Sequence, residues 1–249
     1  MRTGLEQRRE ELCRLVPERA LESLEDAHSF LLDRGLLTRT PDSALPSFFA
    51  ACHEEPYAPG SGGFGSWPAT KYPWYFALAE RPDVHELKVH RGKSILFSDA
   101  TLTLVDGICR AELTRMGRDA EWSRLLRHLA DAGPSTLADL QTELELKPRE
   151  LKALRSPLER CGAVLSRRLE DETELLRYDQ AYPEPLDGPE TIDDLIVAGV
   201  RAAVVAPERE LRRWFSWVWR FPDDLVDRLV RQRRLERPEP GWVAAPASV

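Results

Sequence analysis

Between positions 121 and 180 the apolar residues change period in a readable order. Trp122, Leu125, Leu126, Leu129 and Ala130 recur at helical spacing, and Gly133-Pro134 stops that helix. Ser135 is a good N-cap for a second helix over 136–144, with Leu137, Leu140 and Leu144 as its buried stripe. After a break at Glu145-Leu146-Lys147, Pro148 stands in the first turn of a third helix. Leu151, Leu154 and Leu158 face inward there, and Gly162 ends it. Residues 163–168 and 173–180 then alternate as paired strands around the polar turn Glu170-Asp171-Glu172. Three helices followed by a hairpin is the order of a winged helix. That module most often binds DNA, and in many proteins it only contacts other proteins.

The flanks show related patterns. Residues 1–18 read as a charged helix. Residues 21–33 read as a firmer one, with Leu21, Leu24, Ala27, His28 and Leu31 on one face and Gly35 at its end. A turn-rich link over 38–46 leads to a short apolar helix over 47–52. The loop 56–68 holds four Gly and three Pro and so forms no regular element. Beside a site it would be a lid or a substrate-facing edge; elsewhere it would be a spacer. A helix over 70–79 is rich in Tyr72, Trp74, Tyr75 and Phe76. Strands over 84–89 and 93–97 flank the tight turn His90-Arg91-Gly92, and a helix over 99–110 follows. Downstream, helices over 189–205, 207–218 and 222–234 precede a hairpin over 235–245 that turns at 238–241. The hinge phrases 32–37, 158–164 and 229–235 are alike, each a helix end running into an apolar strand start. The chain therefore reads as an α+β, mainly helical protein of three tandem winged-helix-like units: 1–118, much elaborated, then 119–186 and 187–249.

Charge sharpens this picture. Arg149, Lys152, Arg155 and Ser156 point outward from the third helix of the central unit, and Arg160, Arg167 and Arg168 follow into its hairpin. Residues 145–168 hold seven basic and three acidic side chains in a chain of net charge −7. Either this helix enters a major groove, or its charges are a solvated face. Residues 209–237 hold nine Arg against five acidic residues, a second basic stretch that would extend one groove. A length of 249 residues, 42% apolar content and seven Trp suffice for two or three cores. Cys13, Cys52, Cys109 and Cys161 lie far apart, with neither metal-ligand spacing nor disulfide density, which fits reduced thiols in a cytoplasm. The N-terminus carries no apolar signal core, and the apolar run 195–206 is broken by Arg201 and too short for a bilayer. The expectation is a cytoplasmic protein, nucleoid-associated if it binds DNA, with no membrane and no metal partner. No P-loop, Rossmann glycine pattern, nucleophile elbow or His-Glu-x-x-His occurs, so no cofactor is expected.

Three further groups carry candidate chemistry. Lys88, His90, Arg91 and Lys93 put four potential cations on one hairpin, either as phosphate contacts or as its polar face. Trp67, Tyr72 and Trp74 suit stacking on an extruded base, and equally a core. His53, Glu54 and Glu55 cluster before the Gly-rich loop, where a carboxylate either activates water or is a surface charge.

The three tandem units, with Trp67-Pro-Ala-Thr-Lys-Tyr-Pro-Trp74 followed by Val89-His-Arg-Gly-Lys-Ser-Ile-Leu-Phe97, resemble the AlkZ-like DNA glycosylases. Those bacterial repair enzymes excise alkylated bases and unhook crosslinks. Leu45-Pro46-Ser47-Phe48 ahead of the Trp-rich segment is similar to the shorter AlkZ-related proteins. The resemblance implies double-stranded DNA as partner and a catalytic Gln-x-Gln or Gln-x-Asp motif just before a helix. Aligned on Pro73, those motif positions fall here on Ala69 and Lys71. Ala69 holds neither a water nor a developing sugar cation. Lys71 suits attack on the sugar C1′ if desolvated, or an ordinary phosphate contact. The expected function is binding of damaged or distorted duplex DNA. An active glycosylase, a regulatory DNA-binding factor and a protein-interaction scaffold remain alternatives.

Overall fold

The structure, a computed structural model, describes residues 2–169, 172–189 and 191–246, and within them one run of elements occurs three times. Each run is helix, short strand, two helices, then two strands. The first is α2 (Leu24–Arg34), β1 (Leu36–Thr38), α3 (Phe48–Cys52), α4 (Tyr72–Ala79), β2 (Val84–His90) and β3 (Lys93–Ser98). The second is α6 (Ala120–Ala132), β4 (Ser135–Thr136), α7 (Leu137–Glu143), α8 (Pro148–Arg160), β5 (Val164–Leu169) and β6 (Glu172–Arg177). The third is α10 (Asp193–Ala203), β7 (Val205–Pro207), α11 (Glu208–Leu211), α12 (Leu225–Arg231), β8 (Glu236–Glu239) and β9 (Trp242–Ala244). In each antiparallel sheet the last strand lies in the middle: β1-β3-β2, β4-β6-β5 and β7-β9-β8. Outside the runs are α1 (Arg2–Leu12), the long α5 (Asp99–Gly117) and the single turn α9 (Tyr178–Ala181). The fold is thus a mixed α+β fold, with twelve α-helices and three small sheets among the described residues.

Local chemistry explains the boundaries. The Ser23 and Thr136 hydroxyls accept from the amides of Asp26 and Asp139, each at 3.1 Å, N-caps that contribute about 1 kcal/mol apiece. Thr136 rather than Ser135 is therefore the cap of α7, and Ser135 pairs with Leu175 in the sheet. Arg91 and Gly92 both have positive φ, 54° and 76°, the type I′ geometry that a two-residue hairpin turn favours. Of the expected turn at Glu170-Asp171-Glu172, Glu170 and Asp171 lie outside the described residues.

Three expected helices differ most in length, while 189–205 and 222–234 shorten to Asp193–Ala203 and Leu225–Arg231. Helix 99–110 continues to Gly117 as α5, because its apolar face stays buried through Leu113 and Met116. Helix 1–18 ends at Leu12, and a 3-10 turn, Pro17–Arg19, follows. Helix 207–218 is a single turn, Glu208–Leu211, and beyond it remote residues take the Arg213 and Trp214 carbonyls, the Ser216 amide and the Trp217 indole. The Ser216 amide donates to Val89 O at 2.8 Å, and the Trp217 indole donates to Cys161 O at 2.9 Å. Trp214, Phe215 and Trp217 are all buried there.

The three sheets share one core. A continuous apolar cluster contains Phe97 from the first run, Leu140 and Leu158 from the second, and Trp217 and Val243 from the third. A second cluster around Phe48, Tyr75 and Leu96 belongs to the first run alone. Helix α5 sits at the centre. The segment leading to the third run crosses it so closely that a Cβ on Gly107 would lie 2.9 Å from the Gly188 carbonyl oxygen. Buried Asp106 accepts from Arg110 Nε and from the Leu186 amide, at 3.0 and 3.1 Å, which fixes that segment on the helix. Among the described residues no helix is long and apolar enough to cross a membrane, and no group of His, Cys, Asp and Glu is placed to hold a metal ion.

Candidate nucleic-acid interface

Helix α8 turns Leu151 and Leu158 into the core, which leaves its opposite face outward. Arg149 and Lys152, one turn apart, are exposed there and have no partner among the described residues. The helix start is fixed by the Lys147 amide, which donates to Glu150 Oε2 at 2.7 Å. Arg155 leans instead on Glu159, at 3.4 Å, and the Ser156 hydroxyl donates back to Lys152 O at 2.7 Å. Of the four outward residues read from the sequence, the first two are thus uncommitted and the last two have internal partners.

The β5–β6 hairpin carries Arg167 and Arg168. Arg167 faces Glu174 directly across the strands and pairs with it at 2.5 Å. The exposed Arg168 places its guanidinium 5.8 Å from the ring centre of Phe76 in the first run. Among the described residues, six of the nine arginines in the basic stretch 209–237 form ion pairs on folding. Arg228 meets Asp193, Arg234 meets Asp194, and Arg237 bridges Glu208 and Asp227 at 2.9 and 2.6 Å. The first three of those acids lie upstream of the stretch, so a count of its own charges overstates its positive field.

The β2–β3 hairpin is docked inside the molecule. Lys88 Nζ donates to Glu159 Oε1 at 2.7 Å and to Ser166 Oγ at 2.9 Å. His90 is 1% exposed, with Nδ1 2.6 Å from Trp214 O and Nε2 3.3 Å from Asp42 Oδ1. Burial lowers its pKa, although the Asp42 charge and the Trp214 carbonyl pull the other way. Arg91 donates to Arg213 O at 2.8 Å and to Asp42 O at 2.9 Å, while Lys93 pairs with the Asp42 carboxylate. Burial works against that carboxylate, yet the Lys93 hydrogen bond and the neighbouring His90 hold its pKa below the usual range. All four residues expected to meet phosphates therefore have intramolecular partners.

The segment around Lys71 is built as a helix start. Glu54 Oε2 accepts from the amides of Thr70 and Lys71, at 2.7 and 2.9 Å, and Oε1 accepts from the Thr70 hydroxyl at 2.5 Å. Burial tends to raise the Glu54 pKa, but these bonds outweigh it and keep the carboxyl ionised. Lys71 Nζ donates to Cys52 O at 3.0 Å and lies 5.8 Å from the Trp74 ring centre. Glu55 is exposed, and its carbonyl accepts from the Ala69 amide at 3.0 Å. Half-buried Trp67 and Tyr72 come together with Phe64, which lies 5.0 Å from Trp67 and 5.1 Å from Tyr72. Trp74 makes no ring pair with that group among the described residues. All four cysteines are buried, and burial pushes their thiols up, Cys13 to about 11 and Cys52 to about 12.

Sequence reasoning did not single out Tyr57, Phe64 and Arg39, and read Phe76 only as an aromatic of its helix. The Gly-rich composition of 56–68 hid the first two. The Arg39 guanidinium lies 4.9 Å over Trp67, a pairing across 28 positions that periodicity does not reveal. Geometrically, the surface offers Arg149 and Lys152, with Arg160 exposed at the end of the same helix, and a cluster of aromatic rings edged by arginines. Comparison of the chain with protein-family models, with curated proteins and with solved structures finds no match.

Proposed function

We propose that the chain is a tandem winged-helix protein that binds double-stranded DNA through its second unit. The observation that carries this reading is Arg149 and Lys152, exposed one turn apart on α8 with no partner among the described residues. The order helix, strand, helix, helix, hairpin, with the last strand central, favours it. In that arrangement the third helix enters the major groove and its outward cations meet phosphates or base edges. The likeness to AlkZ-related proteins favours damaged or distorted duplex as the target. We place no glycosidic step in the proposal. Ala69 offers no polar side-chain group, the Glu54 carboxylate already accepts from three donors, and the Lys71 ammonium donates to a carbonyl.

The test is direct binding of a short labelled duplex by the purified chain at low and moderate salt. Binding at low salt that weakens steeply as salt rises is expected, because phosphate contacts release counterions. No binding at low salt, or affinity indifferent to salt, would overturn the proposal.

A further inference from the structure

The loop 56–68 is an ordered structure that holds large rings in water. The Tyr57 amide donates to Trp67 O at 2.6 Å and the Ala58 amide to Gly65 O at 2.7 Å, beside an antiparallel bridge between Pro56 and Pro68. The chain doubles back through Gly60 and Gly63, both at positive φ. Tyr57 and Phe64 are thereby set 5.3 Å apart, yet they stay 58% and 48% exposed. Rings fixed by backbone hydrogen bonds but left in water suit a partner with flat apolar faces.

The rings also form a continuous strip. Phe64 meets Trp67 at 5.0 Å, and Trp67 meets Phe76 at 5.3 Å. Phe76 meets the Arg168 guanidinium at 5.8 Å. Phe76 and Arg168 both line a cleft of about 790 Å³ between the first and second units. Arg39 lies over Trp67 and Arg168 over Phe76, so two positive charges touch the strip. Glu80 and Glu86 line the same cleft, so an anionic backbone would keep to the arginine side.

From this geometry we infer that the strip from Tyr57 to Phe76 is a stacking platform for unpaired DNA bases, with Arg39 and Arg168 meeting the phosphates between them. A nucleic-acid strand offers both features at once, a π face on every base and a negative charge between successive bases. The inference rests on the DNA-binding reading above and names what that surface would select, namely a strand opened or unstacked beside the duplex held by α8.

The experiment compares a DNA duplex containing a short internal bubble with a fully paired duplex of the same length. The wild type, the Y57A/F64A variant and the ring-keeping Y57F/F64W variant are tested. Tyr57 and Phe64 are exposed, and circular dichroism checks that both variants fold. The expected result is a preference of the wild type for the bubble, reduced about ten-fold or more by Y57A/F64A. Affinity for paired duplex should stay unchanged, and Y57F/F64W should keep the preference. A wild type that binds paired duplex without favouring the bubble overturns the platform and leaves the duplex reading standing. A bubble preference that Y57A/F64A leaves intact also overturns the platform. Ring-dependent binding of the bubble without any affinity for paired duplex supports the platform and overturns the duplex reading. Binding to neither overturns both.

Discussion

Lys88 Nζ donates a 2.7 Å hydrogen bond to Glu159 Oε1, fastening the first sheet to the third helix of the second unit. Glu159 is buried, and Ser166 and Arg155 complete its surroundings. The bond turns a residue that reads as a phosphate contact into an internal strut. Lys88→Met should lower the unfolding free energy by roughly 1–3 kcal/mol, since a buried carboxylate loses its ammonium partner. Adding Glu159→Gln should recover part of that loss. Urea denaturation of the two variants checks this, and a cost below about 0.5 kcal/mol for the single variant would show a dispensable contact.

Gly92 fixes a second junction. Its amide donates to Ser216 Oγ at 3.2 Å, its φ is +76°, and a Cβ there would meet the Arg160 side chain at 3.1 Å. Gly92→Val should cost roughly 1–2 kcal/mol for the left-handed backbone alone. The tie to the third unit should loosen as well. The expected readout is a lower melting temperature together with increased hydrogen exchange at the Ser216 amide, which donates to Val89 O. A variant with wild-type melting and exchange would contradict the junction.

His90 gives stability a pH dependence. Burial lowers its pKa from the ordinary value, so the unfolded chain takes up a proton before the folded one does. This contribution is complete above about pH 6.5, the ordinary histidine value, and is lost as the pH falls toward the depressed folded value. His90→Gln should flatten the decline in melting temperature below about pH 6.5. An equally steep decline in that variant would assign it to other groups, such as the carboxylate of Asp42.

The sequence made the repeated elements legible, and much less of the site. Leucine spacing marks α6, α7 and α8 because each buries one stripe against the shared core. The β2–β3 hairpin is equally plain from the short Arg91-Gly92 turn. Helix 207–218 misleads because its periodicity is real while the carbonyls that hold the Ser216 amide and the Trp217 indole, those of Val89 and Cys161, are remote in the chain. Charge misleads for the same reason. Arg228, Arg234 and Arg237 look like a basic face until Asp193, Asp194 and Glu208 arrive from outside the stretch. His90 and Arg91 look like a free wing tip until Trp214 O and Arg213 O close on them. Arg149 and Lys152, by contrast, keep in the structure the exposure that the sequence suggests for them, with no partner among the described residues.

Those two residues also define the decisive measurement, the slope of log affinity for paired duplex against log salt. From wild type to the R149A/K152A variant this slope should fall by about two units, one for each lost phosphate contact. Arg155→Ala, which removes a side chain held by Glu159, should change it little. An unchanged slope in the R149A/K152A variant would contradict the claim that α8 faces DNA.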